Sequence, residues 1–207
     1  MSVLTKLTNG CNGWRIRLRT AWYRHQFVKL EGAALARLEM GPGTHFAVPV
    51  RSQGQGTLLV GPDNAFGYRA APLLGDGSIL LQPRSPSAVI TLGTGNWFSN
   101  NVSIVANERV TIGNGCQIGD LVAIYDCDFH ELNPLTRNRS AGDTAPVSIG
   151  NNVWLGSRVM VLKGVTIGDN SVIGAMSVVT RSIPANSLAI GAPARVVKSL
   201  VEGLEPK

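Results

Sequence analysis

The chain has 207 residues, room for one domain and an appendage, with 44% hydrophobic and only 15% charged residues. No apolar run approaches the ~20 residues that span a bilayer. The first residues, MSVLTKLTNG, lack an apolar export core, and the three scattered cysteines, Cys11, Cys116 and Cys127, point to reduced thiols in a cytoplasm. The net charge is +6, and residues 1–51, with eight basic and two acidic side chains, carry the whole excess.

Residues 1–50 read as a basic, apolar N-terminal extension. From Trp14 to Arg19 the residues alternate as in a strand, whereas Tyr23, Phe27, Leu30, Ala34 and Leu38 fall at helical spacing. Two uses fit this composition. One is a cap over the open end of a repeat stack, which such stacks require; the other is an arm on an anionic membrane face, with Trp and Arg at the interface. The cap is preferred, and the two are compatible.

Residues 51–198 form the main domain, and 199–207 a polar tail. Up to residue 91 the chain is rich in Gly and Pro, with short apolar runs that suit irregular early turns. Further on the pattern tightens. Ile149, Leu155, Val161, Ile167, Ile173 and Val179 stand six residues apart, and Gly150, Gly156, Gly168 and Gly174 follow four of them. Neither a helix nor a plain strand produces that period. A flat-sided coil does, with one aliphatic side chain per face in the bore and small residues where the backbone bends. Val153, Val159, Val165, Ser171, Ser177 and Ile183, four residues after each anchor, are compact enough to share the interior. The phase recurs upstream at Ile112, Ile118 and Ile124, and more loosely at Leu92, Phe98 and Ile104.

The period is lost in one place, a loop over 125–148. Structureless loops of that length are usually functional or disordered. His130 sits six residues after Ile124, where another anchor is due, so the coil is expected to exchange an anchor for an imidazole. With a pKa near ~6.5, an imidazole can take and return a proton near neutrality.

APVSIGNNVWLGSRVMVLKGVTIGDNSVIGAMSVVTRSIPANSLAIGAPARVVK, the preceding VTIGNGCQIG and the loop FHELNPLTRNRSAGD together resemble the hexapeptide-repeat acyltransferases. The likeness is strongest to the branch of galactoside, maltose and nodulation-factor O-acetyltransferases, and it covers roughly residues 90–198. It implies a left-handed parallel β-helix, against the usual right-handed crossover. It also implies a homotrimer with a site in each cleft between subunits, and acetyl-CoA as co-substrate without a metal. His130 matches the family's general base, and the backbone N–H of Ser157 matches its oxyanion donor. Trp154 matches the aromatic wall of the acceptor and pantetheine cleft. Ala175 and Thr180 match positions along the pantetheine, while Arg195, Lys198 and Lys163 match basic residues near the CoA phosphates. On the acceptor side the candidates are Asn101, Asn107 and Asp128, along with Trp154.

The expected activity is acetyl transfer to a sugar hydroxyl of a cell-surface polysaccharide or lipid-linked saccharide precursor. The expected partners are acetyl-CoA, the saccharide, further copies of the chain and the inner membrane face, with no nucleic acid. N-acetylation of an amino sugar, or a non-catalytic solenoid scaffold, are the alternatives.

Overall fold

The computed structural model describes residues 17–68, 77–139 and 142–201. Cys11 and the start of the strand-like reading at Trp14 lie outside them. The core is a triangular prism of parallel strands, with each coil giving one short strand to each of three sheets. The first sheet stacks Arg37–Met40, Thr57–Val60, Val89–Leu92, Arg109–Ile112, Val147–Ile149 and Thr166–Ile167. The second stacks His45–Phe46, Ala65–Phe66, Trp97–Phe98, Gln117–Ile118, Trp154–Leu155 and Val172–Ile173, and ends in the hairpin Ser187–Gly191 and Ala194–Ser199. The third stacks Val50–Arg51, Ile79–Pro83, Ser103–Ala106, Ala123–Tyr125, Met160–Val161 and Val178–Val179. This is the expected left-handed parallel β-helix.

The six-residue anchors fill the bore in register. Ile112 pairs with Ile149 and Ile149 with Ile167, Ile118 with Leu155 and Leu155 with Ile173, Ile124 with Val161 and Val161 with Val179. All are buried, as are Val153, Val159, Val165, Ser171, Ser177 and Ile183. Burial of a side chain this size contributes about 1.5–3 kcal/mol, and stacking each anchor on its equivalent holds the coils in one register.

The corners work differently from the expectation. Where a glycine follows an anchor, the neighbouring coil requires it and not the bend: a Cβ on Gly156 would lie 2.6 Å from the Ala175 nitrogen on the next coil. The left-handed seat comes two residues later, at Asn152, Arg158, Asn170 and Met176, with φ between 52° and 61°. Asn adopts that conformation readily; at the others the stacked coils impose it.

The coil also begins earlier than position 51. Arg37–Met40, His45–Phe46 and Val50–Arg51 are its first turn. The boundary was hidden because Phe46, Val48 and Val50 fill this turn without the Ile-Gly signature. Residues 17–26 are helical, followed by Phe27–Glu31 and Gly32–Ala34 in wider and tighter turns. The proposed apolar stripe therefore stops short: Leu30 and Ala34 are exposed, and Leu38 belongs to a strand. What reaches the core is Phe27, which is fully buried and heads a ladder of rings, Phe27–Phe46–Phe66–Phe98, with centroids 5.8, 5.3 and 5.2 Å apart. Through Phe27 the extension packs onto the first coil.

Candidate active site

The loop leaves the third sheet after Tyr125 and re-enters the first at Val147. Because Ile149 seats directly on Ile112, no anchor is exchanged for His130. The insertion is made at a corner, and the sequence reading of a replaced anchor is corrected. A corner carries no bore-filling side chain, so it accepts an excursion at no packing cost.

The neck of the loop is strongly held. Asp126 is completely buried, and its carboxylate accepts the backbone N–H groups of Asn107, Glu108 and Arg109 at 2.7, 2.8 and 2.7 Å. It is thus a structural staple, with both oxygens engaged by backbone amides and no surface exposed to a sugar. Cys127 bridges Thr144, Asp128 N–H donates to the Asp143 carbonyl, and Ala145 N–H donates to the Asp126 carbonyl. Lys163, from the next coil, binds Asp128 at 2.6 Å and lies 3.6 Å from Asp143. The hydrogen bond to Asp128, aided by both carboxylate charges, raises the Lys163 pKa. Burial pushes the Cys127 and Cys116 thiols up, so neither is a poised nucleophile.

Beyond the neck, Phe129 adopts φ 65°, a conformation that costs a bulky residue energy. It is gripped from two sides: Tyr125 meets it edge-on at 5.1 Å, and the Arg84 guanidinium lies 4.9 Å from its centroid. That turn projects His130 into solvent. Its Nδ1 stands 3.2 Å from the Arg137 carbonyl oxygen. A carbonyl only accepts, so Nδ1 is the donor in this contact and Nε2 is the ring nitrogen left for another partner. Gly142 (φ 72°) closes the loop over this backbone, where a Cβ would fall 2.3 Å from the His130 oxygen. Neither Arg84 nor Gly142 is flagged by the repeat pattern; the only signal is an arginine and a glycine just outside regular hexads.

The other candidates fall into two sets. Asn107, Asp128, His130, Lys163 and Thr180 lie along the edge between the third and first sheets. Asn101, Ser157 and Ala175 lie along the edge between the second and third, with Trp154 on the adjoining second face. Arg195 and Lys198 are exposed on the closing hairpin of that second face. Ser157 and Ala175 stack directly, the Ser157 hydroxyl donates to Asp120, and among the described residues the Ser157 N–H has no partner. Trp154 is 55% exposed. The third face, up to ~20 Å wide for six residues, separates the sets, and no hydrogen bond joins His130 to Trp154 or Ser157. Asp128 and Lys163, expected on acceptor and CoA phosphate respectively, hold each other. Asn107 is engaged through its backbone, by Asp126 and by the Ser85 hydroxyl. Among the described residues no three His, Cys, Asp or Glu side chains converge as a metal site.

Residues 146–181 match the family model for bacterial transferase hexapeptide, six repeats. A galactoside O-acetyltransferase of Escherichia coli (strain K12) is 43% identical over 106 residues, 51% of this chain and 52% of the relative, so the chain spans about half the length of the curated relatives it matches. Among solved structures, a galactoside acetyltransferase in complex with coenzyme A superposes with a TM-score of 0.55 at 29% identity, covering 90% of this chain and 81% of that one. A polysialic acid O-acetyltransferase superposes with a TM-score of 0.64 at 25% identity, covering 79% and 74%. In its in-register hexads and its corner loop the chain is thus similar to hexapeptide-repeat acetyltransferases, galactoside O-acetyltransferases among them.

Proposed function

We propose that the protein is an acetyl-CoA-dependent O-acetyltransferase that modifies a sugar hydroxyl of a polysaccharide or lipid-linked saccharide, with His130 as general base. The observation that carries this reading is the Nδ1 contact to the Arg137 carbonyl, which leaves Nε2 of an exposed imidazole for the acceptor on a loop stapled at its neck. The acceptor hydroxyl donates to Nε2 and its oxygen attacks the thioester carbonyl. The oxyanion accepts the free N–H of Ser157, and collapse of the tetrahedral species expels the CoA thiolate, which takes the proton back from the imidazolium. The coenzyme A complex of one relative and the polysialic acid named for another support the two substrate classes.

His130 and Ser157 lie on different edges, so the reading requires a second copy: the loop edge of one protomer facing the Ser157 edge of its neighbour, as in a homotrimer. Leu132 and Leu135, 81% and 84% exposed at the loop tip, suit a contact of that kind. Ala175 and Thr180 then flank the pantetheine, Arg195 and Lys198 the phosphates, and Asn101 the acceptor; Asn107, Asp128 and Lys163 support the loop. Replacing His130 by Ala should lower acetyl-CoA turnover by about 10²–10⁴ with the fold intact. Thioester consumption equal to the native chain's would remove the base, and mass spectrometry of paired hydroxyl and amine acceptors separates O- from N-transfer.

Helix 17–26 turns Leu18 and Trp22 outward, 53% and 56% exposed, among Arg17, Arg19 and Arg24. This is the face for an anionic membrane, reached from the cytoplasmic side. Co-sedimentation with phosphatidylserine vesicles at low salt should occur and should fail at high salt; no binding at low salt overturns the membrane role.

A further inference from the structure

Successive strands of the second sheet align their outward residues as His45, Ala65, Trp97, Gln117 and Trp154, one per coil. Along this row lie two hollows, of about 460 and 320 Å³, which share Gly67, Tyr68 and Trp97 in their walls and so lie end to end as a groove with these residues at its middle. The first is the right size for a small-ligand site and lies far along the coil axis from Trp154, with Arg19 of the N-terminal helix at its rim. The second ends at Trp154. From Trp154 to His45 the groove covers four coil steps, ~19 Å at the usual strand spacing. Trp97 and Tyr68 are 61% and 53% exposed there, an unusual placement for large rings in a chain with only 6% aromatics.

We propose that this groove is a saccharide-chain site, in which the unreacted sugar units of a polymeric acceptor lie along the second face while one hydroxyl is presented beside Trp154. The inference deepens the acetyltransferase reading and rests on it for the position of the reacting end. Pyranose rings offer an apolar face and a hydroxyl-bearing rim, and the groove offers the complement. Trp97 and Trp154 are flat surfaces two coils apart, ~10 Å, about the reach of a disaccharide. Gln117, His45 and Asp63 supply hydrogen-bonding edges between and beyond them. A lipid tail would leave those polar groups without partners, and the centre of a subunit interface is depleted in carboxylates such as Asp63. The length of the groove selects for a chain over a single sugar.

The test compares acceptors carrying the same reactive sugar, from the monosaccharide to a long oligomer, on the native protein, Trp97→Ala and His45→Ala. The native protein should prefer the oligomer, and both variants should lose about ten-fold in the ratio of oligomer to monosaccharide kcat/KM. Calorimetric titration with the oligomer, without acetyl-CoA, should show the same weakening whether or not turnover occurs. If oligomer binds and weakens in the variants but no acetyl product forms, the groove stands and the acetyltransferase reading falls. If acetyl product forms with no length preference, the reverse holds. Dissociation of the assembly by Trp97→Ala and His45→Ala alike, read by sedimentation, would show the face to be a subunit contact and overturn the proposal, as would binding of acyl detergent in place of the oligomer.

Discussion

Around the loop, identical residue types have taken opposite roles, and only their partners distinguish them. Asp126 and Asp128 are two positions apart, yet one is a buried staple for three backbone amides and the other an exposed-side partner of Lys163. Nothing in YDCDFHEL separates them, because a strand's alternation reverses at the corner and the sequence does not show where. Lys163 makes the point testable. Raised by its bond to Asp128, its pKa leaves it charged at every working pH, so what matters is which anion it meets. Lys163→Met should lower kcat by loosening the loop under His130 while leaving the KM for acetyl-CoA unchanged. Steady-state kinetics showing the opposite split would return Lys163 to the CoA phosphates.

The N-terminal segment shows how an element can be legible in kind and still misplaced in extent. Its helical period was visible, but the period ran on past the helix end, because Leu38 in the first strand happens to keep the phase. What ends the helix is tertiary: Phe27 must reach the Phe ladder, and Glu31 must reach Arg51 at 3.1 Å and the Ser52 N–H at 3.0 Å. Burial alone would raise the Glu31 pKa, but the hydrogen bonds from Ser52 and Arg51 outweigh it and hold the carboxyl below its ordinary value. A lowered folded pKa adds stability above the unfolded value, ~4.3, and that stability is lost as pH falls through the lowered one. Glu31→Gln should therefore cost about 1 kcal/mol at neutral pH and almost nothing in acid. Denaturant midpoints measured at both pH values check this; an equal cost at both would detach Glu31 from the tether.

For the assembled molecule, the separation of His130 from Trp154 and Ser157 onto different edges decides what a single copy can do. With the roles proposed for them, His130 as base and the Ser157 N–H as oxyanion donor, one protomer would hold each on a different edge and complete neither site alone. Co-expressed His130→Ala and Trp154→Ala subunits should assemble into trimers in which some clefts receive both intact halves, with more activity than either parent alone. Mixtures no better than the sum of their parents would place the whole site within one chain.

The repeat region could be read before any coordinates, since a six-residue period admits one packing: each Ile, Leu or Val must meet its equivalent on the coil above, and strand pairing is local to the next turn. The loop could be located as the break in that period, and His130 as its one imidazole. The arrangement within the loop could not. It depends on Asp126 reaching three amides some seventeen to nineteen residues away, on Arg84 reaching Phe129 from two coils earlier, and on which corner the insertion leaves from. Such contacts are set by the stacking of coils, so distant residues become neighbours with no mark in their own sequence. The groove past Trp97 has the same origin, its rings scattered along the chain and aligned only when the turns are wound one upon another.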